Sequence, residues 1–278
     1  MSAYTEKFYR LVQEGAKQSA AEIVPIVIEL IQPQSVIDIG CGLGTWLSKF
    51  QQHNITDILG VDGDYIDQKQ LEIPSDKFVA FDLKNQFVID RKFDLVVSLE
   101  VAEHLPQEDG EKFVESLTNL GSVVLFSAAI PFQGGVEHIN EQWQDYWVSY
   151  FQQRDYVPID CIRKRIWNNQ KVEVWYAQNM MIFADQKSLD LPQYDLLKKE
   201  FTVSSNSLVS VVHPQKYLEV VEKYLQEVKV AEWYIQENEK STAAFQPQNM
   251  SLKKLLSALP IVFWNSLKKR LFLFPSTK

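Results

Sequence analysis

The chain has 278 residues and a formal net charge of −8, with hydrophobic residues at 46% and charged ones at 23%. That leaves room for one large domain with appendages, and the acidic balance excludes a general grip on nucleic acid, which needs a basic face. The two cysteines, Cys41 and Cys161, stand without a C-x-x-C pair or a His/Cys cluster, which excludes a disulfide framework and a zinc ribbon and fits a reducing, cytoplasmic compartment.

Residues 1–34 read as helical. The segment Met1 to Glu6 lacks the basic stretch and apolar core of a signal peptide. Ala20, Ile23, Val24, Val27, Leu30 and Ile31 recur at 3–4 residue spacing, one face of a helix packed on a sheet. Pro25 begins or kinks a turn. The β-branched run Ser35 to Ile39 predicts the first strand, which ends in three glycines at alternate positions, Gly40, Gly42 and Gly44, before a short helix from Thr45 to Gln52. Glycines let the chain turn tightly and let a ligand approach where a Cβ would clash. The helix start adds free N–H groups and a positive dipole end.

The spacing of these glycines discriminates between ligands. A dinucleotide fold shows G-x-G-x-x-G/A; here the third glycine comes one residue early and Thr45 fills the place of the Gly or Ala, which disfavours a nicotinamide oxidoreductase. Asp38, two residues before Gly40, would repel a pyrophosphate and suits an ammonium or sulfonium ligand.

Asp57 to Asp62 reads as the second strand. An acid at its end, Asp62, is placed to accept hydrogen bonds from ribose hydroxyls; the rival reading is a turn aspartate in Asp62-Gly63-Asp64. Lys77 to Leu83 predicts the third strand. Phe93 to Glu100 is a continuous apolar run, as in a central parallel strand buried on both faces. It leads into Glu100-Val101-Ala102-Glu103-His104-Leu105-Pro106, at the end of the sheet where open α/β folds bind ligands. A helix over Gln107 to Leu120, a fifth strand over Ser122 to Ser127 and a long loop through Gly134-Gly135 to Trp143 follow. The loop leaves the ligand-binding end of a strand and hangs over the site. The aromatic segment Glu141 to Gln153 predicts a helix. Tyr156 to Cys161 and Tyr176 to Ala184 predict the last two strands as an antiparallel pair, with Ile162 to Trp175 as a loop between them. The alternation predicts an α/β fold with a doubly wound, mostly parallel, seven-stranded sheet.

The corner Asp38-Ile39-Gly40-Cys41-Gly42-Leu43-Gly44 resembles the first motif, D/E-x-G-x-G-x-G, of class I S-adenosylmethionine-dependent methyltransferases, and the resemblance covers roughly residues 20–184. It implies a Rossmann-like methyltransferase fold with S-adenosylmethionine as cofactor, held by Asp38, Gly40, Cys41, Gly42, Gly44, Asp62, Gly63 and Glu100. Asp82-Leu83 resembles the family's adenine contact, and the Glu-His-Leu form at Glu103 recurs in many members. Within the superfamily the chain is similar to a bacterial group often encoded beside glycosyltransferases, through the run Ser127-Ala128-Ala129-Ile130-Pro131 with Gly134-Gly135 and His138-Ile139-Asn140-Glu141-Gln142-Trp143, and through Trp175-Tyr176-Ala177-Gln178-Asn179.

Methyl transfer to oxygen uses a base. His53 and His213 lie away from the rim and read as structural or solvated. His138, after the Gly134-Gly135 segment, and His104 with Glu103 are the two candidates. Asn140, Glu141, Trp143, Tyr146 and Trp167 suit a saccharide acceptor pocket and equally a packed helix–sheet interface. No metal is required: Glu100, Glu103 and His104 could hold one, yet no spacing demands it. The reading is an O-methyltransferase acting on a saccharide or glycoconjugate, with another small or lipid-linked acceptor as one alternative. A non-catalytic adaptor is the other, and the intact corner, Asp62 and the rim histidines argue against it.

Residues 1–185 form the expected methyltransferase domain, 186–245 a helical extension and 246–278 a linker with a basic amphipathic tail. Pro214 to Glu239 predicts a long helix, lying on its own domain or pairing in a homodimer. Residues 251–278 hold six Lys or Arg and no acid, leaving −14 on the first 250. Leu252 to Phe274 mixes these cations with apolar side chains, which suits peripheral contact with an anionic membrane or docking on an acidic protein surface.

Overall fold

The computed structural model describes residues 6–85, 89–204, 208–244 and 251–253. The chain divides into two compact units, Met1–Val220 and Val221–Lys278, and the sheet belongs to the first. The proposed membrane or docking tail from residue 254 onward lies outside the described residues. Among the described residues no helix is long and apolar enough to cross a membrane.

The first unit begins with α1 (Glu6–Ile31), whose six predicted apolar residues are all buried while Pro25 sits on the exposed side within the helix. Three strands and a helix follow: β1 (Ser35–Ile39), α2 (Thr45–Gln52), β2 (Asp57–Asp62) and β3 (Phe78–Ala80). Next come β4 (Leu95–Leu99), α3 (Gly110–Thr118), β5 (Val123–Ser127), α4 (Gln144–Gln152) and β6 (Tyr156–Ile159). The remainder is α5 (Arg163–Ile166), α6 (Val174–Asn179), β7 (Met181–Asp185), α7 (Asp195–Ser204) and α8 (Pro214–Ala244), which crosses into the second unit.

The seven strands run in the order β3-β2-β1-β4-β5-β7-β6. The first five in sequence are parallel, and β7 is antiparallel to both β5 and β6. All residues of β1, β4 and β5 are buried, because both faces of the sheet are covered and side chains alternate between them. Val36, Leu95, Val97 and Leu125 pack with α1 and α2 on one face. Ile37, Val96, Val124 and Phe126 pack with α3 and α4 on the other. Strand order reverses at β1, which has β2 on one side and β4 on the other. The crevice that this leaves lies at the ends of β1 and β4, just where the glycines and Glu100 sit.

Four expected elements change. Tyr176–Asn179 is helical rather than extended, and β7 starts only at Met181; an apolar run this short does not separate a buried helical turn from a strand. The third strand is cut to three residues, because Asp82 accepts from the amide of Lys84 and from Asn85 Nδ2 and so turns the chain. Helix α4 begins at Gln144, since the Glu141 carboxylate is committed to the preceding loop, where it accepts from the amides of Phe132 and Gly134. The Ile162–Trp175 excursion contains the single-turn α5. There buried Arg163 makes a two-pronged pair with Asp160 and donates to the carbonyls of Leu208 and Val209.

Candidate active site

The corner after β1 is built from left-handed backbone: Gly40, Gly42 and Gly44 have φ of 82°, 54° and 80°, a region costly for any residue with a Cβ. Their surroundings differ. A Cβ on Gly40 would run into Val101, and one on Gly44 would meet Ile73 Cγ1 at 2.8 Å. A Cβ on Gly42 would have nothing within 4 Å. Two of the glycines thus allow close packing beneath the turn, while the middle one faces open space. The amides of Gly40 and Cys41 hold the turn to β2 through the carbonyl of Val61. Cys41 is buried, and burial pushes its thiol far up, so it takes no part as a thiolate.

Asp62 is the hub of the corner. It is buried and accepts from the amide of Gly42 (2.7 Å), the amide of Gly63 (2.6 Å) and the hydroxyl of Tyr65 (2.5 Å). Tyr65 itself is 78% exposed, so one of the three donors comes from a side chain on the surface. Asp38, 2% exposed, has an Oδ2 with no hydrogen bond. Burial first, and the charge of Asp62 second, hold its carboxyl well above the usual carboxylate range. Glu72 ties α1 to this corner by pairing with Lys17 and accepting from Gln13 and Thr45.

On the other side of the crevice, Glu100 closes β4 with φ 57°, a strained conformation for a glutamate. Its two oxygens accept from Gln133 Nε2 (2.7 Å) and Asn179 Nδ2 (3.2 Å), and Gln178 joins the same network. Desolvation raises its pKa against these hydrogen bonds. A 3₁₀ turn over Ala102–His104 then presents Glu103 and His104. Glu103 is wholly buried and neither carboxylate oxygen has a hydrogen bond of sound geometry, although its own amide and that of Ala129 lie near. Burial, and then the charge of Glu100, push its pKa well up.

The loop before α4 brings His138 to His104, their rings 4.8 Å apart and almost perpendicular. His138 Nδ1 lies 3.0 Å from Glu141 Oε1, and His104 Nδ1 lies 3.3 Å from the Glu137 carbonyl. Burial lowers the pKa of His104, and its neighbour His138 lowers it further. The amides of Ile139 and Asn140 both donate to the Glu103 carbonyl at 3.0 Å, so this loop is fastened to the same turn that carries His104.

The structure therefore gathers Asp38, Gly40, Cys41, Gly42, Gly44, Asp62 and Gly63 in one corner, and Glu100, Glu103, His104, His138, Asn140 and Glu141 along one rim. Asp82 caps an exposed turn, and Leu83 packs on the sheet's second face. Trp143 is 43% exposed just ahead of α4. Tyr146 meets Trp147 and Tyr150 edge-to-face and donates to the Gln107 carbonyl, and the Trp167 ring lies tilted against His213 while its carbonyl accepts from that ring. No hydrogen bond or ring pair among the described residues joins either to His104 or His138. No signal in the sequence assigns a role to Tyr65, Val101, Ile73 or Gln133, although Val101 and Gln133 lie within the rim and loop runs. The Gln178-Asn179 motif reads as part of a strand, where successive side chains point to opposite faces; as the end of α6 both reach one network.

A family model described as a methyltransferase domain matches residues 10–169. No curated protein matches the sequence. Among solved structures, the chain is similar to the methyltransferase domain of a bacterial CtHen1, with 19% identity over 61% of this chain and 98% of that one and a TM-score of 0.46. It is also similar to magnesium protoporphyrin IX methyltransferase from Synechocystis PCC 6803, with 16% identity, 66% and 90% coverage and a TM-score of 0.47. An O-methyltransferase family protein from Burkholderia thailandensis shows 11% identity, 66% and 60% coverage and a TM-score of 0.48.

Proposed function

Because the chain belongs to the methyltransferase-domain family, with S-adenosylmethionine as cofactor, we propose that it moves a methyl group onto a hydroxyl oxygen of a saccharide or glycoconjugate. The residues present fit the cofactor. The space beside Gly42 is open, the buried Asp38 oxygen lacks a partner for a cationic group, and Asp62 already gathers N–H and O–H donors as it would ribose hydroxyls. When bound, S-adenosylmethionine supplies a methyl carbon on a sulfonium centre, an already activated leaving group.

With that activation in place, the protein has to hold the acceptor oxygen in line and dispose of its proton. Positioning can supply roughly 7–11 kcal/mol, and a positioned base roughly 10²–10⁴-fold. The observation that carries the reading is the paired imidazoles at the end of β4, beside the glycine corner. Glu141 accepts from Nδ1–H of His138 and so leaves Nε2 as the proton acceptor. Asn140, whose buried Nδ2 has no partner, and the half-exposed Trp143 offer the amide and aromatic face that a polyhydroxylated acceptor uses, while Glu141 is spent on the loop and on His138. The resemblance to a group encoded beside glycosyltransferases supports the same acceptor class.

The test is methyl transfer from labelled S-adenosylmethionine to a panel of saccharides, phenols and amines, with wild type and His138→Ala. Labelled methyl ethers formed on a sugar by wild type and lost in the variant are the expected result. Turnover on amines alone, or full turnover by His138→Ala, would sink the proposal.

A further inference from the structure

We propose that α8 pairs with α8 of a second copy of this chain, the two helices running antiparallel. The helix holds 31 residues, about 46 Å, and from Tyr217 to Lys240 none of them is buried. Tyr224, Leu225, Trp233, Tyr234 and Ile235 are each at least half exposed. A helix in water draws most of its stability from packing an apolar face, so a face this apolar calls for a cover. The spacing along it points to what that cover is. Leu218, Val221, Leu225, Val228, Glu232 and Ile235 recur at alternating steps of three and four, the seam by which two helices pack knobs into holes. Beside the seam lie Tyr217, Tyr224 and Ala231 on one flank and Glu222 and Lys229 on the other.

Charge and shape decide the direction. In a parallel pair each seam residue meets its own copy, which sets Glu232 against Glu232 of the second copy, two like charges in one layer. An antiparallel pair with its two-fold axis between Gln226 and Glu227 avoids this. Leu218 then packs against Ile235 of the second copy, Leu225 against Val228 of the second copy, and Val221 against the stem of its Glu232, and the two-fold repeats every layer. On one flank Glu222 faces Lys229 of the second copy, and symmetry makes two such pairs. On the other flank Tyr224 faces Ala231 of the second copy, a large side chain beside a small one. The ion pairs within α8 are Lys216 with Glu219 and Lys240 with Glu237, so Glu222 and Lys229 have no ion pair among the described residues. The helix also carries both signs of charge, with Glu222, Glu227 and Glu232 beside Lys223 and Lys229. That pattern matches its own copy turned end for end, whereas an anionic lipid surface takes a basic face.

The experiment is sedimentation equilibrium of the full-length protein over a concentration series, for wild type, Glu222→Lys, Lys229→Glu and the variant that carries both changes. Both side chains are exposed, so the fold is kept, and thermal unfolding of each protein checks this. Wild type is expected to be a dimer. Each single reversal turns two attractions into two repulsions and should raise the dimer Kd roughly tenfold. The double reversal restores both pairs and should return the Kd to within about threefold of wild type. Oxidative cross-linking reads the direction: Leu225→Cys mixed with Val228→Cys should give a disulfide-linked pair that neither variant forms alone, since Cys41 and Cys161 are buried. A wild type that stays monomeric up to about 0.1 mM, an unchanged Kd in the single reversals, no recovery in the double variant, or a disulfide in either cysteine variant alone overturns the pairing. A monomeric wild type that pellets with phosphatidylglycerol vesicles would give the face to lipid instead.

Discussion

Alanine at Gly40 and at Gly42 separates packing from ligand binding within one turn. Both residues are left-handed, φ 82° and 54°, so either substitution costs about 1–2 kcal/mol in backbone strain. At Gly40 the new Cβ lies 2.8 Å from Val101 Cγ1 and nearer still to Cγ2, and overpacking adds about 1–3 kcal/mol. Gly42 carries no such second cost, since its Cβ would meet nothing within 4 Å. At roughly 2–4 °C per kcal/mol for a domain of this size, Gly40→Ala should lower Tm by roughly 4–20 °C and Gly42→Ala by roughly 2–8 °C. Binding follows the reverse order. S-adenosylhomocysteine at 100 times its Kd should stabilise wild type by about 2.7 kcal/mol, and Gly42→Ala should lose most of this because its methyl enters the space kept for the ligand. Adding Val101→Ala to Gly40→Ala should recover about 1–3 kcal/mol relative to the sum of the single changes. Thermal unfolding of the five proteins, wild type, Gly40→Ala, Gly42→Ala, Val101→Ala and the Gly40/Val101 double variant, with and without ligand, measures every term. An additive Gly40/Val101 cycle, or wild-type ligand affinity in Gly42→Ala, would refute the reasoning.

Asp62→Ala removes the acceptor for two amides and a phenol; isothermal titration should detect no S-adenosylhomocysteine binding, and unfolding should show a loss of roughly 1–3 kcal/mol from stranded donors. Asp38 makes stability depend on pH. Its folded pKa is raised by burial and by Asp62, so the folded state keeps a proton that the unfolded state releases at about pH 4, and stability falls as pH rises from there to the folded pKa. Asp38→Asn should flatten that slope in ligand-free protein, and parallel Tm–pH curves for the two proteins would rule the account out. Tyr65→Phe removes a hydroxyl that competes for Asp62 Oδ1; affinity for S-adenosylhomocysteine should rise by roughly fivefold, about 1 kcal/mol for one hydrogen bond, whereas a tenfold loss would make Tyr65 part of the binding site.

The sequence by itself determined the sheet, the glycine corner and the acids that end β1 and β2. These features are local: an apolar run buried on both faces, alternate glycines that only a left-handed turn requires, and helix periodicity from Ala20 to Ile31 are all written in adjacent residues. The N-terminal helix, six of the seven strands within a few residues, and the place of Asp38 and Asp62 follow from such patterns. Tertiary structure decided what depends on partners far apart in the chain. Tyr176–Asn179 reads as a strand by composition, and becomes a helix because Tyr176 and Ala177 pack into the core while Gln178 and Asn179 turn to the network around Glu100. His104 and His138 are 34 positions apart in sequence, and only the loop pinned to Glu103 sets their rings 4.8 Å from each other. No spacing rule anticipates that meeting, since it depends on how a loop folds back over a sheet. The candidate catalytic cluster is thus a product of the fold, while the candidate cofactor corner is a product of the local sequence.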